Sequence, residues 1–274
     1  MVFRIGTRYM IYVINLSKDI ERRIFIEQQL IIKNIEFQFI EAIEGNRLND
    51  GDLNIFSNKS IMKLHANEFA CILSHQKAWK KFLETKNDWA IFCEDDVHFS
   101  SYLNGFLEKI NIDTQRVYVL RLETFKSSAI FSSASQPLGN RTIRTMLSNQ
   151  GGTAGYLINR ATAEALIAAV PQMENALDIE MFDPARRFYK DLEILQIDPA
   201  ICIQDAILNR FNPRLPSNIT QRADVDVGLF KEPGRNQVAM ATEAMRLIAR
   251  TVKNWIYSAI YRQRGEIRRV IRFK

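Results

Sequence analysis

Three consecutive carboxylates, Glu94, Asp95 and Asp96, follow the short apolar run of residues 90–93 in this chain of 274 residues. Mg²⁺ and Mn²⁺ prefer oxygen ligands, and nucleotide sites hold such an ion with one or two carboxylates while substrate phosphates complete its shell. Glu94 and Asp96 are separated by one residue, so at a strand end they would share a side while Asp95 points elsewhere. The spacing is compatible with a metal site and also with an ordinary solvated turn, because Asp is common in turns.

A helix predicted from Asn67 would bring more polar groups to these acids. In the segment EFACILSHQKAW, helical spacing places Glu68, Ile72, His75 and Trp79 on one face. Ser74 and His75 come about twenty residues before the acids. A lone histidine on a helix is more often a core or surface residue, so only its combination with the acids indicates a cleft.

The opening of the chain predicts a βαβ unit. Residues 10–16 and 35–43 read as strands, and residues 17–34 carry apolar positions at helical spacing. Such a unit begins an open α/β sheet, in which ligands bind at the carboxyl ends of the strands. Residues 15–23 and 41–47 would lie at those ends.

The middle of the chain predicts further strands separated by loops. Residues 88–96 and 116–124 read as buried strands, and the polar segments 51–64 and 125–152 read as loops, the second long enough to serve as a lid. The run GGTAG would be a tight turn before a strand and a helix that ends near Pro171. Its glycines do not form a dinucleotide fingerprint.

The net charge of +6 is concentrated at the C-terminus, where residues 246–274 hold nine Lys or Arg against one acid. An apolar stripe runs through residues 245–260, as in a helix lying on an anionic membrane surface. Packing on the protein's own core or on a partner chain is the alternative, and nucleic acid is the least favoured partner. The sequence shows neither a signal-peptide pattern nor an apolar run long enough to span a bilayer. The three cysteines read as reduced core residues.

Six segments occur in the order found in glycosyltransferase family 25. They are YVINLSKDIERR, EFACILSHQKAW, WAIFCEDDV, LRLETF, GGTAGYLINRATAEAL and DIEMFDP. The chain therefore resembles these lipopolysaccharide-biosynthesis glycosyltransferases, which also include collagen galactosyltransferase domains, over roughly residues 10–215. ACILSH followed by EDD is the specific part of the match. Cys93 departs from the aliphatic residue that is common in the family.

The resemblance implies an α/β fold of the GT-A-like, Rossmann type, with a mixed sheet flanked by helices, and a UDP-sugar donor. It also implies Mn²⁺ or Mg²⁺ bound through Asp96 and Glu94. Transfer, most often of galactose, inverts the anomeric centre in one displacement, so a carboxylate must take the proton of the acceptor hydroxyl. Asp178 is the favoured base, followed by Glu180 and Glu123, and a helix cap or a supporting role at the metal is the alternative for Asp178.

Other residues are expected to border the donor. Arg22 and Arg23 would meet the diphosphate, or would simply form a solvated helix face. The remaining expected donor-side residues are Asn15, Ala42, Gly45, Ser74, His75, Glu94, Asp95 and Gly152, with Gln204 toward the acceptor. His75 would orient Glu94 or Asp96 or touch the donor.

These observations predict a glycosyltransferase domain over residues 1–230 and a basic amphipathic helical extension over 231–274. The expected enzyme is cytoplasmic, peripheral on the inner face of the membrane, and extends a lipid-linked oligosaccharide of lipooligosaccharide or lipopolysaccharide. One alternative is a metal-dependent phosphoesterase or nucleotidyltransferase that uses the same acids. Another is a non-enzymatic module in which the tail binds a membrane or nucleic acid.

Overall fold

The computed structural model describes residues 9–111, 113, 115–185, 192–211, 213–215 and 263–274. The strands are β1 Tyr9–Asn15, β2 Phe37–Glu41, β3 Trp89–Glu94, β4 Val97–Phe99, β5 Tyr118–Arg121, β6 Ser128–Ser132, β7 Gln136–Leu138, β8 Arg141–Thr145, β9 Gly155–Asn159, β10 Glu193–Asp198, β11 Cys202–Gln204 and β12 Glu266–Val270. The helices are α1 Ile20–Ile32, α2 Asp50–Leu53, α3 Asn58–Lys63, α4 Ala66–Leu83, α5 Leu103–Lys109, α6 Arg160–Ala169, α7 Leu177–Phe182 and α8 Asp205–Leu208.

Eight strands form one mixed sheet in the order β2-β1-β3-β9-β5-β10-β8-β7. β1 runs parallel to β2 and β3, and β10 runs parallel to β5, whereas β9 lies antiparallel between β3 and β5. Two small sheets pair β11 with β4 and β12 with β6. The mixed sheet with helices on both faces confirms the predicted α/β class.

Apolar side chains cover both faces of the central strands, which explains the uninterrupted apolar runs in the sequence. Tyr12 and Phe92 belong to one core cluster, which includes residues of α4, α6 and α7. Ile11 and Ile91 belong to the other, which includes residues of α1 and α5. This alternation along β1 and β3 fixes their register, because a shift of one residue would exchange the two faces.

Two segments predicted as loops contain regular structure. Residues 51–64 include most of α2 and all of α3, each of which begins with a side-chain cap, from Asn49 and Ser57 respectively. Residues 125–152 form β6, β7 and β8 rather than an irregular lid, and β8 extends the main sheet beside β10. The loop prediction was wrong because short strands acquire their conformation from long-range pairing rather than from a strong local pattern.

The last twelve residues also differ from the helical extension that was predicted. Residues 266–270 form β12, which lies antiparallel to β6, and Ile271 is buried in the core. The strand forms because β6 offers an edge to a segment 140 residues away in sequence, with Arg268 bonding Ser128. The apolar stripe of residues 245–260 lies outside the described residues. Within the described part of the chain, no helix is both long and apolar enough to cross a bilayer.

Candidate active site

A cleft of about 370 Å³ opens where β1, β2 and β3 end. Seven of the residues predicted to bind donor or metal line it, namely Arg22, Ala42, Gly45, Ser74, His75, Glu94 and Asp95. The position agrees with the rule that ligands of open α/β sheets collect at the carboxyl ends of parallel strands. The βαβ reading of the sequence therefore located the cleft correctly.

Asp95, in one wall of the cleft, and the neighbouring Asp96 lie against the first turn of α1. Arg22 donates to Asp95 Oδ1 at 2.8 Å and to Asp96 Oδ2 at 3.3 Å. The Asn15 amide donates to Asp95 Oδ2 at 2.8 Å. Burial raises the pKa of both aspartates, while the charge of Arg22 works in the opposite direction. Asp95 is thus held by side chains, and Asp96 remains less fully bonded.

Glu94 lies between this wall and a second group of acids. Its Oε1 accepts a hydrogen bond from the Thr153 hydroxyl at 3.0 Å, and its Oε2 accepts one from the Gln204 amide at 3.3 Å. Burial, followed by the charges of Asp96 and Glu123, raises the pKa of Glu94 well above its ordinary value. The carboxylates therefore converge closely enough to repel one another.

The side of α4 that lines the cleft is polar. His75, however, does not bond Glu94 or Asp96 as predicted. Ser74 Oγ accepts a hydrogen bond from the Ile43 amide at 2.8 Å, which ties α4 to the segment after β2. His75 Nδ1 pairs with the Tyr156 hydroxyl at 2.7 Å, and burial lowers the pKa of His75 to about 3. His75 is consequently neutral at physiological pH, and its bond to Tyr156 is to a core residue rather than to Glu94 or Asp96.

Gly45 shows why the segment after β2 needs a residue without a side chain. An added Cβ at this position would lie 2.2 Å from Asn67 Oδ1 and 3.0 Å from the backbone of Ala66. The close approach brings Ala42 and Gly45 to the cleft beside the start of α4. Both positions therefore line the cleft, and their binding of a ligand through backbone stays a prediction.

A buried ion pair supports the GGTAG segment on the other side of Glu94. Glu123 Oε1 accepts from the Ala154 amide at 3.0 Å and lies 3.4 Å from Arg121 Nη2. Arg121 also donates to the carbonyls of Gln150 and Gly151. Burial raises the pKa of Glu123 to about 7 despite the opposing charge of Arg121. Glu123 and Arg121 together fix the path of residues 150–154.

Gly152 connects this segment to Asp178 on α7. Its amide donates to Asp178 Oδ2 at 3.1 Å, and Asp178 Oδ1 accepts from the Ile179 amide at 2.9 Å. Gly152 has a φ of 89°, and an added Cβ would lie 2.3 Å from the Phe125 ring, so only glycine suits this position. Asp178 is half-buried, unlike Glu123, and its charge contributes to the raised pKa of Glu123.

Two predicted residues have neighbours that do not belong to the cleft. Glu180 Oε1 accepts from the backbone amides of Glu174 and Asn175, at 3.0 and 2.8 Å, and thereby stabilises the turn before α7. The Arg23 guanidinium lies 3.7 Å from the centre of the Phe39 ring and does not line the cleft. Helical geometry explains the difference between Arg22 and Arg23, since adjacent residues point about 100° apart.

The oxygen-rich side chains suit a hard cation, although the described residues contain no group of three or more His, Cys, Asp or Glu side chains arranged to hold a metal. Asp96 Oδ1, Asn15 Oδ1 and Glu123 Oε2 are buried without a hydrogen-bond partner among the described residues. A buried, unpaired oxygen is costly, and coordination would satisfy it. The unpaired Asp96 Oδ1, whose charge acts on the neighbouring Glu94, is therefore chemically compatible with a hard cation.

Sequence reasoning overlooked three residues of the site. Thr153 binds Glu94, Arg121 binds the carbonyls before it, and Cys71 faces the same acids from α4. Burial raises the pKa of the Cys71 thiol to about 12, with Glu94 as the next contributor. Cys71 lies four residues before His75 and so shares its helix side, which was a usable signal. No local sequence pattern indicated that Arg121 is buried.

The match to known proteins agrees with this geometry. The model of glycosyltransferase family 25 (LPS biosynthesis protein) matches residues 9–181, which include both walls of the cleft and Asp178. The chain belongs to this family, and it is a glycosyltransferase.

The chain is similar in sequence to curated bacterial proteins and, more distantly, to a solved structure. A putative glycosyltransferase of Haemophilus influenzae is 31% identical over 74% of this chain and 72% of the relative. Lipooligosaccharide biosynthesis protein lic2B of the same species is 27% identical over 76% of this chain and 80% of the relative. A glycosyltransferase involved in glycosylation of the major capsid of PBCV-1 has a TM-score of 0.40 at 12% identity, covering 72% of this chain and 93% of that structure.

Proposed function

We propose that this enzyme moves a hexose, galactose in the first instance, from a UDP-sugar to a glycan acceptor in lipooligosaccharide or lipopolysaccharide biosynthesis, with inversion. The observation that carries the proposal is the convergence of Glu94 and Asp95 with Arg22 in one cleft at the ends of β1–β3, with Asp96 paired to the same arginine. The relative lic2B, named for lipooligosaccharide biosynthesis, supports the acceptor class.

The cleft offers a cationic side chain and backbone to a nucleotide-sugar. Arg22 offers a guanidinium fork, which suits diphosphate oxygens. The segment that holds Ala42 and Gly45 lines the same cleft, together with Asn67. Donor binding would require Arg22 to shift some of its interaction from the aspartates to the diphosphate, which favours a cation beside those aspartates.

Asp96 and Glu94 are the residues assigned to that cation, Mn²⁺ or Mg²⁺. When bound, the ion would neutralise the diphosphate and make UDP a better leaving group. Asp96 and Glu94 would present anionic oxygens to this ion. Thr153 and Gln204 hold Glu94 in place, and Arg22 and Asn15 hold Asp95.

Asp178 is the proposed base. A single in-line displacement requires a carboxylate on the acceptor side of the sugar, opposite the departing UDP. Asp178 is partly exposed, and the amides of Gly152 and Ile179 hold its two oxygens in place, whereas Glu180 is buried. Glu123 is fully buried behind residues 150–154, so it positions that segment and does not meet the acceptor.

Donor class and metal dependence can be tested together by a thermal-shift panel of UDP-sugars with and without Mn²⁺. We expect UDP-galactose to stabilise the wild-type protein only when Mn²⁺ is present, and Asp96→Ala to abolish that stabilisation while retaining the wild-type circular dichroism spectrum. Lys59→Ala, on the exposed side of α3, is the control and should behave as wild type. Full Mn²⁺-dependent stabilisation of Asp96→Ala would overturn the metal assignment.

The acceptor class suggests contact with an anionic membrane surface, which we assign to the apolar stripe of residues 245–260. Support comes from its spacing and from the basic residues around it. Removing residues 238–274 would be a poor test, because β12 would be lost as well. Replacing Ile248, Val252 and Ile256 by Gln should instead reduce sedimentation with phosphatidylglycerol vesicles while leaving transfer to a soluble acceptor intact. Unchanged sedimentation would count against the stripe.

A further inference from the structure

A second concave site lies away from the cleft, where the end of the chain crosses the turn after β10. It has a volume of about 460 Å³, and four cationic side chains line it, those of Arg268, Arg269, Arg272 and Lys274. Asp198 is the single acid among the described residues of its lining. We call this site the β12 pocket.

Backbone contacts hold the β12 pocket in shape. The Ala200 amide donates to the Arg272 carbonyl at 2.7 Å, and the Thr124 hydroxyl donates to the Ile271 carbonyl at 2.7 Å. Arg141, which is buried, donates to the Lys274 carbonyl. The four cations are therefore gathered on β12 and on the docked residues that follow it.

Among the described side chains that line the β12 pocket, four cations face one acid. Arg269 forms an ion pair with Asp198 at 2.7 Å, and Arg268 donates to the Ser128 hydroxyl at 2.9 Å. Arg272 and Lys274 are exposed side chains on the same site. Gathering like charges is unfavourable unless an anion joins them, and arginine forks match phosphate oxygens in particular.

We propose that the β12 pocket binds a phosphate group. The phosphate is either carried by a lipid headgroup or present on a non-membrane ligand, and the chemistry of recognition is the same in both cases. This proposal does not rest on the glycosyltransferase function, because phosphate binding is measured without turnover.

The test uses the full-length protein with Arg272→Gln and Lys274→Gln combined. Within the part of the chain that the structure describes, these two residues bond the fold through their backbone carbonyls, so the double variant should keep the wild-type melting temperature. Lys59→Gln with Lys86→Gln removes the same charge from exposed positions on other elements. Calorimetric titration with inorganic phosphate at constant ionic strength should show binding about fivefold or more weaker in the double variant, but unchanged in the control.

Vesicles identify the source of the phosphate. Phosphatidylcholine vesicles with about 30 mol % phosphatidic acid are compared with phosphatidylcholine alone. A parallel loss of vesicle binding in the double variant assigns the site to a lipid headgroup. Retained vesicle binding with lost phosphate binding assigns it to a phosphate outside the bilayer. Equal phosphate affinity in the double variant and wild type, or no binding by wild type, would overturn the proposal.

Discussion

Burial determines the charge of His75, which sits at the edge of the cleft with its imidazole bonded to Tyr156. Its pKa falls from the ordinary 6.5 to about 3 in the folded protein. A base whose pKa is depressed on folding contributes stability above its unfolded pKa, and that contribution is lost as the pH falls toward the folded pKa. Acid should therefore destabilise this protein partly through His75.

Wild type should lose unfolding free energy when the pH falls from about 7.5 to about 4.5. We predict that this loss is smaller by about 2 kcal/mol in His75→Gln. Chemical denaturation at the two pH values measures this difference. His65→Gln, at an exposed position, serves as the control and should keep the wild-type response. An identical pH response in His75→Gln would show that His75 is not a neutral buried group.

The strands and the helix around the cleft were predictable from the sequence. The strands β7 and β8, at the other end of the main sheet, and β12 were not. β1, β3 and β9 are long apolar runs, and α4 has a clear helical period, so local pattern and burial point to the same structure. β7 and β8 contain polar residues such as Gln136 and Arg144 and depend on pairing. β12 has arginines at adjacent positions, a pattern equally compatible with a helix.

Ile271 is the residue through which the end of the chain joins the core, since it is only 4% exposed. We predict that Ile271→Ala lowers the free energy of unfolding by about 2–4 kcal/mol, the usual range for a buried large-to-small change. Val270→Ala is the matched control, because Val270 is 45% exposed, and it should cost well under about 1 kcal/mol. Equal, small effects in urea denaturation would contradict the docking of β12.

Across the whole molecule, the site results from the meeting of segments that are far apart in sequence. Glu94 is bonded by Thr153 and Gln204, and Asp178 by Gly152, so four chain segments define the acid cluster. Residue types and the family resemblance were enough to indicate most of these positions. They did not indicate that His75 faces Tyr156, that Glu180 caps a turn or that Arg121 is buried, because those contacts depend on packing.

The most direct test of the account compares sugar transfer and donor affinity in Asp178→Asn and Glu180→Gln. Both changes replace a carboxylate by an amide of the same shape in the same short segment, DIEMFDP. If Asp178 is the base, Asp178→Asn should lose transfer by about 10²-fold or more while UDP-galactose affinity changes little, and Glu180→Gln should retain transfer. Retained transfer in Asp178→Asn, or a collapse of its donor affinity, would contradict the role of Asp178 as the base.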